Sequence, residues 1–396
     1  MTSEYKFLSD YAEIKGGKRL PKGKNLISTP TDHPYIRVRD LGSDKVLELT
    51  TDYEYVDDDT QSVISRYTVN SGDVIISIVG TIGLVGKIGV SLNGANLTEN
   101  CAKIVNLHGL NADYLYYYLT SVNGQNAISA GTVGAVQPKL PLKSIQALPI
   151  PVMSIGEQTA IAETLSALDA QIAENKKINH HLEQMAQAIF KSWFVDFKSF
   201  GGVMPDDWRD GTLSEIASVT MGQSPDGSSY NEDGIGAVFY QGRTDFGSRF
   251  PTQRLFTTQP KRMASEGDVL LSVRAPVGDL NVATEPCCLG RGLAGIQSNN
   301  GNQSFILYTM FALRQQLDMF NGEGTVFGSI NKKDVADLPI VIPSDEVIYQ
   351  FESLVSPMDT AIKNNYDEIC HLQAIRDTLL PRLISGELSV TDITAK

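Results

Sequence analysis

Cysteine is scarce in this chain and badly placed for chemistry. Cys101, Cys287, Cys288 and Cys370 show no CxxC spacing, and two of them are adjacent. Neither a disulfide framework nor a zinc site is supported, so buried thiols in a reducing compartment are expected. Long apolar runs are missing too. Nothing approaches the roughly 20 residues of a membrane helix, and Met1-Thr-Ser-Glu-Tyr-Lys6 does not read as a leader, so a cytoplasmic protein is expected. No nucleophile constellation surrounds the five histidines, His33, His108, His180, His181 and His371. An Asn-Pro-Pro-aromatic methyltransferase motif is absent, as are a helicase phosphate loop and a nuclease-like Asp…Glu-x-Lys cluster. Gly80, Gly83, Gly86 and Gly89 suggest a phosphate loop at Gly86-Lys87, but Thr81 and Ile88 stand where that loop needs Gly and Ser or Thr. Tight strand turns explain these glycines better. Asp57-Asp-Asp59 could bind a cation, but a solvated loop is the better reading. The chain is expected to have no catalysis and no metal or cofactor of its own.

What the sequence does have is a globular balance, 42% hydrophobic and 20% charged over 396 residues, enough for two or three domains. A net charge of −13 argues at first against nucleic acid. The acid is unevenly spread, however. Residues 1–150 hold 14 Lys/Arg against 15 Asp/Glu, residues 201–343 hold 11 against 16, and residues 344–396 hold 4 against 9. A local basic face remains compatible with an acidic total, although the total predicts weak DNA binding alone and help from a basic partner.

The chain also repeats itself. Gly72-Asp-Val-Ile-Ile-Ser77, Gly131-Thr-Val133 and Leu148-Pro-Ile-Pro151 return in order as Gly267-Asp-Val-Leu-Leu-Ser272, Gly324-Thr-Val326 and Leu338-Pro-Ile-Val-Ile-Pro343. The offsets (267 − 72 = 195, 324 − 131 = 193, 338 − 148 = 190) differ only by small indels. Each unit is domain-sized, so this is a tandem duplication and no solenoid. Residues 1–150 read as a strand-rich module, with strands at Tyr35–Arg39 and Asp73–Val79 and a helix at Ala112–Ser121. Residues 201–343 repeat the plan after a Gly201–Asp207 linker, with Leu213–Ala217 echoing Leu8–Ala12 and a helix at Phe305–Phe320. Residues 151–200 and 344–396 read as long helices.

Those helices carry the clearest pattern. Residues 157–198 contain neither Pro nor Gly. Steps of 4 and 3 from Ile161 reach Leu165, Leu168, Ile172, Asn175, Asn179, Leu182, Ala186, Ile189 and Trp193. The same steps from Phe351 reach Val355, Met358, Ile362, Asn365, Ile369, Leu372, Arg376, Leu379 and Leu383. A seam repeating every 3.5 residues predicts a coiled coil. Asn175 and Asn365 fall at the same step, which suggests antiparallel pairing with both near a pseudo-dyad; the alternative leaves them solvent-facing at the seam edge. The expected fold class is α+β: two tandem mixed α/β modules joined by two long helices in an antiparallel coiled coil, pseudo-twofold symmetric.

Recognition is what remains for the modules. Lys15, Lys18, Arg19, Lys22 and Lys24 lie in a Gly/Pro-rich loop, and Arg37 and Arg39 follow on a strand. The second module offers Arg243, Arg249, Arg254, Lys261, Arg262, Arg274 and Arg291. Arginine suits guanine O6/N7 and phosphate, and amides such as Gln137, Gln241 and Asn331 suit adenine, with Lys139 and Lys332 close by in sequence. Lys261, Arg262 and Lys15 apart, these are the candidate DNA contacts.

Three segments resemble a known family. Gly156–Ile172 (GEQTAIAETLSALDAQI), Ala188–Phe197 (AIFKSWFVDF) and Arg376–Leu388 (RDTLLPRLISGEL) are similar to the central and C-terminal conserved regions of type I restriction-modification specificity subunits. The resemblance implies that the two modules are target recognition domains. It implies double-stranded DNA with a bipartite site as ligand, each module reading one half in the major groove. Two modification subunits would dock on the helices and methylate adenine N6 with S-adenosylmethionine, and two restriction subunits could add ATP- and Mg-dependent cleavage. Contact residues are not carried over, because such domains vary widely between relatives. About 40 helical residues make a rod of roughly 60 Å, enough to hold modules one DNA turn, on the order of 34 Å, apart. The rival expectation is a coiled-coil interaction scaffold, or a decoy acting on a restriction complex without reading DNA.

Overall fold

A computed structural model describes residues 5–42, 44–274, 276–321 and 328–390. The chain forms two compact units, residues 1–173 with 369–396, and residues 174–368. Each holds one module and a share of both long helices.

In the first unit a five-stranded sheet runs in the order Glu13–Gly16, Cys101–Val105, Val74–Ser77, Val85–Ile88, Val46–Leu47. A three-stranded sheet, Glu54–Tyr55, Pro34–Ile36, Asn96–Leu97, lies beside it in the chain order of the module. The predicted strand at Tyr35–Arg39 is shorter than expected. The Asp40 carboxylate accepts from the Arg37 amide at 2.6 Å, and this turns the chain into a 3-10 turn at Val38–Asp40. The Leu-Pro-Ile-Pro hinge is itself a strand: Pro149–Pro151 pairs antiparallel with Tyr5–Phe7. Ile76, Ile104, Tyr114 and Leu115 pack with Leu165 of one long helix and Leu383 of the other.

The second unit repeats the hinge, with Arg209–Thr212 antiparallel to Pro339–Ile342. Its larger sheet, Tyr230–Asn231, Leu255–Thr257, Ala237–Tyr240, Cys287–Leu289, Met263–Ala264, accompanies a four-stranded one, Ala217–Met221, Leu293–Ser298, Val269–Val273, Val277–Val282. The helix predicted over Phe305–Phe320 is two helices, Gln303–Ala312 and Arg314–Asp318, interrupted at Leu313. The repeated Gly324-Thr-Val326 lies outside the described residues.

The long helices span Ile155–Phe190 and Asp345–Ile384. A capping box starts the first: the Ser154 amide donates to the Glu157 carboxylate at 2.9 Å, and the Glu157 amide to the Ser154 hydroxyl at 3.2 Å. It ends in a π turn over Lys191–Val195, where Phe190, Phe194, Trp208, Phe305 and Phe351 form an aromatic cluster. In the second unit the helices run antiparallel, since Asn175 meets Glu368, Asn179 meets Ile362 and Phe190 meets Phe351. In the first unit Asp169 meets Arg376, again the start of one against the end of the other. Ile161, Leu165, Ile172, Ala186, Phe351, Val355, Ile362, Ile369 and Leu383 of the predicted seam are buried. Three cysteines are buried as expected; Cys370 is exposed. No helix among the described residues is long and apolar enough to cross a membrane, and no acidic, histidine or cysteine group among them could hold a metal.

Candidate nucleic-acid interface

The two modules build their outer faces on one backbone frame. In the first, the Gly17 amide donates to Cys101 O (3.0 Å), Lys18 to Leu97 O (2.8 Å), Thr98 to Ile36 O (3.0 Å) and Cys101 to Thr98 O (3.1 Å). In the second, Gly222 donates to Leu293 O (2.9 Å), Gln223 to Leu289 O (2.9 Å), Gly290 to Tyr240 O (2.8 Å) and Leu293 to Gly290 O (3.0 Å). A Cβ on Gly17 would sit 2.0 Å from Thr98 O, and one on Gly222 2.1 Å from Gly290 O, so both crossings need glycine. The frame equates Arg19 with Ser224, Arg37 with Gln241, and Glu99 with Arg291. A second pair of bonds, Leu140 to Ile78 O and Ile330 to Val273 O, equates Val79 with Arg274.

In the second module this face is a groove of about 540 Å³ lined by Ser224, Gln241, Arg243, Arg274 and Arg291. A neighbouring recess of about 320 Å³ shares Arg274 and Arg291 and adds Asn331 and Lys332. Six predicted contacts therefore converge, from segments up to 91 residues apart (332 − 241). Arg274, Arg291 and Lys332 are exposed, and among the described residues none has an ion-pair partner. Arg243 is fixed: its Nε donates to Asp279 at 2.5 Å, and Arg314 Nη1 holds the other Asp279 oxygen at 2.7 Å. Burial pulls the Asp279 carboxyl upward, but the hydrogen bonds from Arg243 and Arg314 outweigh it and hold the group below its ordinary value. Asn331 uses its side-chain oxygen to cap the helix Lys332–Ala336, accepting from the Asp334 amide at 3.0 Å. Arg254 is drawn away onto Asp245.

The first module carries different side chains at the same places. Arg19 Nε donates to Glu99 at 2.6 Å, and the Thr98 hydroxyl donates to the second Glu99 oxygen at 3.1 Å. Lys18 Nζ lies 5.5 Å from the Tyr67 ring centre. Arg37 is half-buried against Glu54. Lys22 is exposed, Lys24 is paired with Asp57 at 2.9 Å, and Arg39 lies 3.5 Å from both Asp40 and Glu54, beside a groove rich in Asp and Glu. Gln137 and Lys139 are exposed on a turn closed by the Val133–Lys139 bridge. Glu99 and Asp279, which orient arginines, were not anticipated from the sequence.

The family model for the type I restriction modification DNA specificity domain matches residues 2–184 and again residues 205–365. The chain belongs to this family. Among its relatives is a protein described as the MjaX type I restriction enzyme specificity subunit of Methanocaldococcus jannaschii, 30% identical, the match covering 98% of this chain and 94% of that one. The HindI specificity subunit of Haemophilus influenzae is 23% identical over 63% of this chain and 71% of its own. In fold, the crystal structure of a type I restriction-modification S subunit from M. genitalium is similar with a TM-score of 0.64 at 17% identity, over 96% of this chain and 95% of that chain. The protein is accordingly a specificity subunit, a DNA-reading and non-catalytic component.

One expected contact of the specificity subunit is corrected. Arg249 is 7% exposed and cannot reach DNA from there. It bridges Glu183 of the first long helix (3.0 Å) and Asp359 of the second, and stacks 5.7 Å from the Tyr308 ring. Burial opposes its charge, but Tyr308, Asp359 and Glu183 more than restore it. Tyr308 also donates to Asp359 at 2.8 Å. The first module has the same lock in another form. Tyr117 donates to Asp169 at 2.5 Å, and Lys45 lies 4.5 Å from the Tyr117 ring while donating to Ser166 at 2.6 Å. The Lys45 carbonyl accepts from Lys87 as the Arg249 carbonyl does from Val282. Here the guanidinium on the helix aspartate is Arg376, at 2.9 Å.

Both seam asparagines serve the antiparallel pairing, neither being left solvent-facing. Asn175 and Asn365 both bond across the helix pair, but to other residues: Asn175 Nδ2 donates to Glu368 at 3.0 Å, and Asn365 Nδ2 donates to Asn179 Oδ1 at 2.8 Å. Asn179 in turn donates to Ile362 O at 3.1 Å. The stagger of the helices puts Asn179, one turn on, opposite Asn365.

Proposed function

We propose that this specificity subunit reads a bipartite duplex sequence, one half-site per module in the major groove, and recruits two modification subunits that methylate adenine N6. The supporting observation is the pair of outer faces: one hydrogen-bonded frame carries Gln241, Arg274 and Arg291 in the second module and Arg37, Val79 and Glu99 in the first. Equal frames with unequal donors and acceptors suit two different base sequences. With few unpaired cations on either face and a net charge of −13, much of the phosphate neutralisation falls to the partner subunits. Those partners would also hold S-adenosylmethionine, extrude the target adenine and, where restriction subunits join, use ATP and Mg in the cytoplasm. The test is methylation-sensitive sequencing of random duplex DNA exposed to the complex with its modification subunits. A two-part motif with a fixed spacer is expected, and replacing residues 1–150 with another such module should alter one half only. An undivided motif, or alteration of both halves by the swap, would overturn the proposal.

A further inference from the structure

Two exposed arginines, one in each module, share an arrangement that no other arginine of the candidate set has. Arg19, with 81% of its side chain exposed, and Arg243, with 57%, each place Nε alone on a carboxylate. Each carboxylate is fixed through its second oxygen, Glu99 by the Thr98 hydroxyl and Asp279 by Arg314. The contrasts are instructive. Arg254 applies both Nε and Nη2 to Asp245, Arg39 sets Nε near Asp40 but spends Nη2 on Asp52 O at 3.0 Å and on Glu54, Arg37 buries Nε and Nη2, and Arg249 is enclosed. Arg274 and Arg291 have no such anchor among the described residues.

Resting on the bipartite reading above, we propose that Arg19 and Arg243 each recognise a guanine, one in each half-site, with Glu99 and Asp279 as positioning residues. A guanidinium held by Nε keeps its two Nη groups free as a fork, the geometry that matches guanine O6 and N7. The adjacent carboxylate also selects against the other ligand an arginine commonly takes. An ion-paired arginine is locally neutral, and its carboxylate repels a phosphate, so counterion release gains little from it. The neutral acceptors of a guanine edge carry no such penalty. Holding the side chain beforehand reduces the rotamer freedom lost on binding. Hydrogen bonds from Arg19, from its own backbone and from Thr98 overcome burial and keep Glu99 below its ordinary carboxyl range, so the brace stays charged. Arg274, Arg291 and Lys332, unbraced, suit the backbone phosphates alongside.

The experiment uses the full complex with modification subunits, on randomised duplexes read by methylation-sensitive sequencing and by binding at several salt concentrations. Wild type should show a guanine in each half. Arg19→Lys should lose guanine preference at one position of one half, by about 5- to 150-fold, the discrimination one bidentate pair supplies, and Arg243→Lys should do so in the other half. Salt dependence should stay unchanged. Glu99→Ala should broaden the same position as Arg19→Lys, while Glu99→Gln, which keeps an oxygen for Nε, should retain the preference. Thermal unfolding at the wild-type temperature certifies each variant as folded. A motif without guanine in either half, or intact guanine preference in both lysine variants, would overturn the assignment alone. Uniform weakening across sequences, with a salt slope lower by about 1 in Arg19→Met or Arg243→Met, which remove the charge that the lysine variants keep, would make these arginines phosphate contacts. Absence of any two-part motif from wild type would instead defeat the bipartite reading itself.

Discussion

Glu99 and Arg291 leave equivalent positions of two matched frames with opposite charges, and the cations that tie each module to the long helices are rearranged as well. In the first module Lys45 and Arg376 divide the contacts that Arg249 makes alone in the second. The difference teaches which parts of the duplication are constrained. Backbone crossings at Gly17 and Gly222 admit no side chain, and the tyrosine–aspartate bonds Tyr117–Asp169 and Tyr308–Asp359 recur in both units. Cations around those fixed points have changed type, position and element.

Removing the cation from each lock should separate the two arrangements most strongly. Arg249→Met leaves the half-buried Glu183 and Asp359 without their guanidinium, Asp359 keeping only the Tyr308 hydroxyl, and should cost about 3 kcal/mol, the low end for a broken buried pair, seen as early unfolding of residues 174–368 by hydrogen exchange. Lys45→Met should cost less, about 1–2 kcal/mol, because Asp113 keeps Lys87 and Asp169 keeps Arg376. Equal losses would mean that the locks are energetically the same. On the seam, Asn365→Leu strands the Asn179 side-chain oxygen and should cost about 1–2 kcal/mol by chemical denaturation. Adding Asn179→Leu should recover most of it while weakening the register; a double variant less stable than the single would refute that pairing.

The smallest effect concerns pH. Burial pushes the Asp40 carboxyl up to about 6, with Arg39 opposing it only partly. Its folded value exceeds the unfolded one near 3.8, so the folded state binds more protons between them. Stability of the turn at Arg37–Leu41 should rise as pH falls from 7 through 6, level off below about 4, and be lost again as pH rises. Asp245, at the corresponding turn, is paired directly with Arg254. Asp40→Asn should abolish the slope in local hydrogen exchange; an unchanged slope would assign it to another group.

Much of this was legible from the chain. Seam stepping located the buried helix faces, because period is local; the repeated Leu-Pro-Ile-Pro segments marked the duplication, but their pairing as strands with Tyr5–Phe7 and Arg209–Thr212 rests on distant partners. Axial stagger is not local either, which is why Asn365 met Asn179 and not Asn175. Arg249 misled because a Gly/Ser-flanked arginine looks exposed, and only the packed helices reveal Glu183 and Asp359. The groove at Arg274 and Arg291 was legible as a set of residue types, though not as a place. Glu99 and Asp279 gave no signal by themselves. The tyrosine–aspartate lock could have been found, since Tyr117/Tyr308 and Asp169/Asp359 keep the repeat offset (308 − 117 = 191, 359 − 169 = 190).

Grafting the first module's pair onto the second module's frame tests most directly whether one frame carries two independent readers. Ser224→Arg with Arg291→Glu recreates Arg19 and Glu99 at their matched positions. In the complex with modification subunits, methylation-sensitive sequencing should show the second module's half-site acquiring a guanine while the first module's half-site stays unchanged. A graft that alters neither half, or alters the half read by the first module, would contradict it.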